Sequence, residues 1–134
     1  MQITLKNLAE ATQQQIFDQV AEHLLHQNEI SAHKKSENGI PGYCSYRGPR
    51  GLKCAAGCLI ADDEYDPMMD SGMDTSWLDL VKGGVVPPAH ATFIRELQIL
   101  HDTSSVSRWY LSLKTLAMSF SLNTDVLAKH KPVF

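Results

Sequence analysis

The sequence has few cysteines, no long apolar run and no signal-peptide region. Only 3 of its 134 residues are cysteines, an odd number that argues against a disulfide framework and favours reduced thiols. The longest uninterrupted apolar run, residues 54–61, is far shorter than the roughly 18 residues that a membrane span needs. Because the first residues also lack a hydrophobic signal region, we expect a cytoplasmic protein with no membrane partner.

The sequence also lacks a strong excess of either charge. Twelve Lys and Arg residues against fifteen Asp and Glu residues give a net charge of −3, which disfavours a protein whose affinity comes from neutralising phosphates. Nucleic acid is therefore not the expected partner. Apolar residues make up 43% and charged residues 20% of the chain, as in folded proteins. At this length we expect a single globular domain, residues 1–134.

Apolar residues recur at helical spacing in several segments. A capping box at residues 12–15 precedes the first apolar stripe, at residues 16–25, and so predicts a helix start. Further stripes or turns follow at residues 77–81, 93–100, 106–120 and 124–130. This pattern predicts a mainly α (α+β) fold, a bundle of about four to five helices with one small β-hairpin.

The hairpin is expected between residues 43 and 54. Residues 43–47 and 52–54 flank the sequence Gly48-Pro49-Arg50-Gly51, which suits a tight turn. A two-stranded ribbon is marginally stable alone, so it would lean on the helices. The small residues at 54–61 predict a short buried helix, in which Gly57 lets a neighbouring backbone come close.

The same region carries the most specific motif, Tyr-Arg-Gly-Pro-x-Gly-x-Lys-Cys-Ala-x-Gly-Cys-Leu-Ile at residues 46–60. Here the chain resembles a family of small, functionally uncharacterised proteins from bacteriophages and bacterial genomes. The resemblance extends through His90 to the helix around Trp109 and covers most of the chain. It implies a shared fold and points to a phage origin, but it assigns no activity and no catalytic residue.

Cys54 is the first candidate for chemistry. At a helix start and beside a lysine, its thiolate would be favoured by the amide dipoles and by the cation. His90, or His101 with Asp102, would then supply the imidazole and the orienting carboxylate of a Cys–His hydrolase or transferase. The alternative, which we prefer, is that the thiol is a buried packing group, as cysteines commonly are.

A metal site is the second candidate. Cys44, Cys54 and Cys58 with one histidine have the ligand count of a closed zinc tetrahedron. The spacing opposes this hypothesis, because only the interval from Cys54 to Cys58 fits the usual ligand pairs. The acidic stretch that follows does not match a calcium loop, since Pro67 and Met73 stand where that loop needs Gly and Glu. No cofactor is expected.

Charge is polarised along the chain, because the basic residues between 33 and 53 are followed by an acidic segment. Such polarity can steer a partner of complementary charge, and Tyr and Arg are enriched at binding hot spots. We therefore predict a small accessory protein that binds another macromolecule, with a host protein as the expected partner and self-association left open. The predicted contact residues are Tyr43, Tyr46, Arg47, Arg50, Asp62, Asp63 and Glu64. The alternative is that the two arginines pair with the two aspartates inside the fold.

Overall fold

A computed structural model of the chain describes residues 2–32, 45–70 and 76–130. The α-helices in these ranges are α1 (Gln13–Gln27), α2 (Trp77–Lys82), α3 (Ala91–Thr103) and α4 (Trp109–Ser119). Short 3₁₀ helices occupy much of the remaining chain, at Leu5–Glu10, Pro49–Gly51, Gly57–Leu59, Pro67–Asp70, Val106–Arg108 and Asp125–His130. The prediction of a mainly helical protein is confirmed.

The capping box at the start of α1 forms as predicted. The Thr12 hydroxyl accepts the Gln15 N–H at 3.1 Å, and the Gln15 side chain accepts the Thr12 N–H at 2.9 Å. The two bonds satisfy amide donors that a helix start otherwise leaves open. The first predicted stripe is the buried face of this helix: Ile16, Phe17, Val20, Ala21 and Leu24.

The predicted β-hairpin is wrong for the part of it that the structure describes, because residues 45–54 contain no strand. The chain makes a turn there, in which the Gly48 N–H donates to the Leu52 carbonyl oxygen at 2.7 Å. The N–H groups of Tyr46 and Arg47 donate to the carboxylate of Asp70, at 2.9 and 3.2 Å. The Asp70 carboxylate thus accepts backbone N–H groups that would otherwise donate to a second strand, and the hydrogen-bond ladder of a hairpin does not form here.

The predicted short helix at residues 54–61 is also corrected. These residues make tight turns around the 3₁₀ helix Gly57–Leu59, and residues 54–60 are buried. The prediction for Gly57 is confirmed, because a Cβ at this position would overlap the backbone carbonyl of Tyr46. Close backbone contact, rather than an α-helix, explains the run of small residues.

Buried apolar side chains of the helices and of residues 45–70 form a connected hydrophobic core. Its largest fully buried side chains include Trp77, Trp109, Phe17 and Phe93. α1 contacts both α3 and α4, and α2 contacts α3. Among the described helices, none is long and apolar enough to cross a bilayer.

The N-terminal segment is fastened to the middle of the chain by polar side chains. The Glu64 carboxylate accepts the N–H of Leu5 at 3.0 Å and that of the next residue at 3.1 Å. The Gln19 amide N–H₂ donates to the carbonyl oxygens of Ile3 and Cys58, at 2.9 and 3.1 Å. These bonds bring the first 3₁₀ helix, α1 and the thiol-bearing segment together.

Candidate functional site

Cys54 and Cys58 lie inside the core as free thiols. The Cys54 Sγ accepts the Gly57 N–H at 3.3 Å, and the Cys58 thiol donates to the Ala55 carbonyl oxygen at 3.1 Å. Burial raises the pKa of Cys54 well above its ordinary value and raises the pKa of Cys58 to about 12. Both groups are therefore protonated at neutral pH, whereas a nucleophile or a zinc ligand needs the thiolate.

The activation that a helix start would have given Cys54 does not arise. The following residues form a single 3₁₀ turn, which lacks the aligned peptide dipoles of a longer α-helix. The neighbouring Lys53 ammonium lies 3.7 Å from the Asp62 carboxylate, so that carboxylate offsets its charge. Desolvation of the thiol is the dominant effect.

His101, on α3, is buried against the segment that follows α1. Its Nε2 accepts the Ser31 N–H at 3.1 Å, and its Nδ1 lies 2.8 Å from a carboxylate oxygen of Asp102. Because a nitrogen that accepts an N–H carries no proton, Nδ1 is the protonated atom and donates to Asp102. The ring stacks on Trp109 with centroids 5.5 Å apart. Both ring nitrogens of His101 are thus engaged in hydrogen bonds, one with the Ser31 backbone and one with the Asp102 side chain.

His90 also has an internal partner. It is the N-cap of α3 with a φ of 58°, and its Nε2 donates to the Ala11 carbonyl oxygen at 2.7 Å. Among the described residues, no hydrogen bond joins the sulfur of Cys54 or Cys58 to an imidazole. The structure therefore does not assemble the predicted Cys–His arrangement in the part of the chain that it describes.

Of the three cysteines in the candidate metal site, the described residues include only Cys54 and Cys58. Cys44 lies outside the described residues, and within those residues no group of three His, Cys, Asp or Glu side chains could hold a metal ion. The described thiols serve as packing groups with local hydrogen bonds.

We expect these two thiols to resist alkylation in the native protein. In a Cys44→Ser variant, which retains only Cys54 and Cys58, iodoacetamide at about pH 8 should react at least about 100-fold more slowly than in denaturing guanidinium chloride, because reaction requires opening of the core. Mass spectrometry over time measures both rates. Native Cys54 reacting as fast as in the denatured chain would restore the nucleophile hypothesis.

The Arg47 guanidinium is the centre of a hydrogen-bond network in residues 45–70. Its nitrogens donate to the carbonyl oxygens of Gly57 and Ile60, at 2.9 and 2.6 Å, and to the Asp62 carboxylate at 3.1 Å. The guanidinium also lies 5.0 Å from the centroid of the Tyr65 ring, within the range of a cation–π contact. Arg47 is therefore a framework residue.

Two acidic residues complete this framework. In addition to the backbone donors of Tyr46 and Arg47, the Asp70 carboxylate accepts the Tyr65 hydroxyl at 2.6 Å. Burial and this hydrogen bond raise the pKa of Tyr65 to about 12. Glu64, which caps the N-terminal 3₁₀ helix, also accepts the Ala61 N–H at 2.9 Å. Sequence reasoning did not identify Asp70, because its partners are backbone groups that carry no sequence signature.

The predicted contact residues divide into inward and outward groups. Tyr46 is buried against Trp77, with ring centroids 6.3 Å apart. Tyr43 lies outside the described residues. Arg47 pairs with Asp62, as the alternative expected, but the Asp62 side chain is exposed; Arg50 pairs with Glu29 at 2.7 Å. The outward group, which we call the charged surface, consists of Arg50, Asp62 and Asp63.

A groove with a mixed polar and apolar lining and a volume of about 490 Å³ lies between α3 and α4, and we call it the α3–α4 groove. Its apolar lining residues are Ile99, Leu100, Leu111, Leu116 and Phe120. Hydroxyl side chains and two charged residues, Glu96 and Arg108, line the rest. Leu111 is a large apolar residue outside the buried stripe of α4, and this position is a signal from which the sequence could have indicated the surface.

The chain matches no protein-family model, no curated protein and no solved structure. The resemblance to bacteriophage and bacterial proteins through residues 46–60 therefore stays a prediction. Function is inferred from the geometry of the chain itself.

Proposed function

We propose that the protein acts by binding another protein through the α3–α4 groove, and not by catalysis. The observation that carries the proposal is the groove itself, which has exposed apolar side chains on its walls, Ile99 and Leu111. Exposed aliphatic side chains beside polar groups in an open groove can receive an anchor residue of a partner protein. The hydroxyls of Ser104, Ser112 and Thr115 are among these polar groups.

The two sides of α4 support this proposal. Trp109, Leu113 and Ala117 face the core, yet Leu111 and Met118 are 59% and 72% exposed. These two residues are about two turns apart and lie on one side of the helix, where Leu111 lines the groove and Met118 lies outside it. A helix with apolar residues on two sides is expected to be buried on both, by its own core on one side and by a partner on the other.

The charged surface supports a second candidate, a host-cell protein of complementary charge. The Arg50 and Asp62 side chains are 71% and 86% exposed, and exposed ion pairs contribute little to folding. Because such exposed pairs are weak, Arg50 and Asp62 can exchange their present ionic partners for groups of a binding protein. The resemblance to bacteriophage proteins favours a host cell as the source of that partner.

The groove is tested by photo-crosslinking. With benzoylphenylalanine at Thr115, which lines the groove, we expect a protein crosslink in cells that make the chain. Leu111→Glu should lower the yield at least about tenfold, because it places a charge in an apolar contact. Met68→Glu is the matched control, since Met68 is 55% exposed and lies outside the groove. We expect no change in that variant.

Two results would contradict the proposal. One is the absence of any protein crosslink from Thr115. The other is an equal loss of crosslinking in Leu111→Glu and Met68→Glu. Both substitutions are at exposed positions, so we expect both variants to fold. Circular dichroism of each variant checks this.

A further inference from the structure

Resting on this proposed function, we propose that the protein seated in the α3–α4 groove is a second copy of this chain, docked antiparallel about a two-fold axis. The inference depends on three features of the groove. Its two ends differ, residues of opposite charge lie toward those ends, and the exposed Leu111 side chain lies on its wall.

The ends are distinct because α3 and α4 run antiparallel. At one end the hydroxyls of Ser104 and Ser112 are 3.2 Å apart, which joins the end of α3 to the start of α4. At the other end the rings of Phe93 and Phe120 meet edge to face, with centroids 4.8 Å apart. The two ends of the groove therefore differ chemically, so a partner can dock in one preferred orientation.

The charged lining residues lie toward opposite ends. Arg108 immediately precedes α4, beside the Ser104 end, and Glu96 lies in the first half of α3, toward the Phe120 end. Within the described chain neither residue forms an ion pair with another residue of the same chain. Both charges therefore remain for a partner.

A two-fold axis across the groove pairs these charges between copies. Glu96 of one copy then faces Arg108 of the other, and the symmetry repeats the contact. A parallel arrangement would instead bring like charges together, which is unfavourable. Charge complementarity thus selects the antiparallel second copy as the occupant.

The groove also carries an exposed apolar side chain that a second copy could receive. Leu111 projects from the wall of the groove, so in the two-fold arrangement the Leu111 side chain of each copy enters the groove of the other. Eleven residues line the groove, about half of the roughly 20–30 residues per side of a standard interface. We therefore expect a reversible dimer with a dissociation constant of the order of micromolar.

Analytical ultracentrifugation of the full chain tests the inference. The mass should rise with concentration from 14.9 kDa toward twice that value. Glu96→Arg and Arg108→Glu should each weaken dimerisation at least about tenfold, because each places like charges opposite one another at both contacts. Lys82→Glu, a charge reversal at an exposed position outside the groove, should change nothing.

Mixing the two weakened variants provides the sharpest result. In a heterodimer of Glu96→Arg with Arg108→Glu, both contacts again join opposite charges, so the mixture should regain the wild-type affinity. Rearrangement within one chain cannot produce this recovery. A wild-type chain that stays monomeric to millimolar concentration, or a mixture that fails to recover, would overturn the inference.

Failure of the dimer is distinguishable from failure of the proposed function. A crosslink from Thr115 to a protein of different mass would overturn the second-copy inference and still support binding through the groove. A crosslinked product of twice the chain mass supports both.

Discussion

Replacing Arg47 with alanine is expected to destabilise the fold by about 3–5 kcal/mol. The substitution removes the guanidinium donor of the Gly57 and Ile60 carbonyl oxygens. The Gly57 oxygen keeps the Ile60 N–H, whereas the Ile60 oxygen loses its donor, and an unsatisfied buried acceptor costs about 1–3 kcal/mol. The cation–π contact with Tyr65 is lost as well. The Asp62 contact adds little, because the Asp62 side chain is exposed.

Arg50→Ala is the matched control for Arg47→Ala. Arg50 is in the same turn, but its side chain is largely exposed and bonded only to Glu29 among the described residues, so the loss should be below about 0.5 kcal/mol. Urea unfolding followed by circular dichroism measures both. Equal, small losses would show that Arg47 is not a framework residue and would return it to the group of candidate contact residues.

Gly57→Ala is the second substitution with a large expected effect, about 3 kcal/mol or more. The added Cβ would overlap the carbonyl group of Tyr46. That group is backbone, so no flexible side chain can move aside. The same turn presents the Gly57 carbonyl oxygen to Arg47, so any shift that relieves the overlap disturbs the hydrogen-bond network as well.

Gly83→Ala serves as the comparison. A Cβ on Gly83 would meet the Asp79 carbonyl oxygen at 3.5 Å, an ordinary contact, and Gly83 has a φ of −79°. We expect a change within about 0.5 kcal/mol. Thermal unfolding of the two variants measures the difference. Similar midpoints would mean that the approach of residues 46 and 57 is looser than the structure indicates.

The helices could be predicted from the sequence because their signals are local. The capping box at Thr12 needs only residues three positions apart, and each apolar stripe repeats within a few turns. The close approach at Gly57 was also predictable, since a run of small residues favours close backbone contact. The formation of these features depends little on contacts with residues far away in the sequence.

The hairpin and the contact surface were not predictable for the opposite reason. Asp70, 24 residues from Tyr46, takes the backbone donors that the hairpin needed. Arg47 has the residue type of a binding hot spot, but its principal partners are carbonyl oxygens, which every residue possesses. Whether an arginine faces a partner or the protein's own backbone depends on tertiary placement, and composition does not encode it.

The fastening of the N-terminal segment has a consequence for synthesis on the ribosome. Leu5 finds its acceptor 59 residues downstream, at Glu64, and translation releases the amino end first. The nascent segment therefore emerges from the exit tunnel with Ile3 and Leu8, both buried in the finished fold, still open to chaperones. Gln19 on α1 can bond Ile3 earlier, but the bonds to Glu64 form only after the middle of the chain has emerged. The native contacts of this segment are therefore completed late.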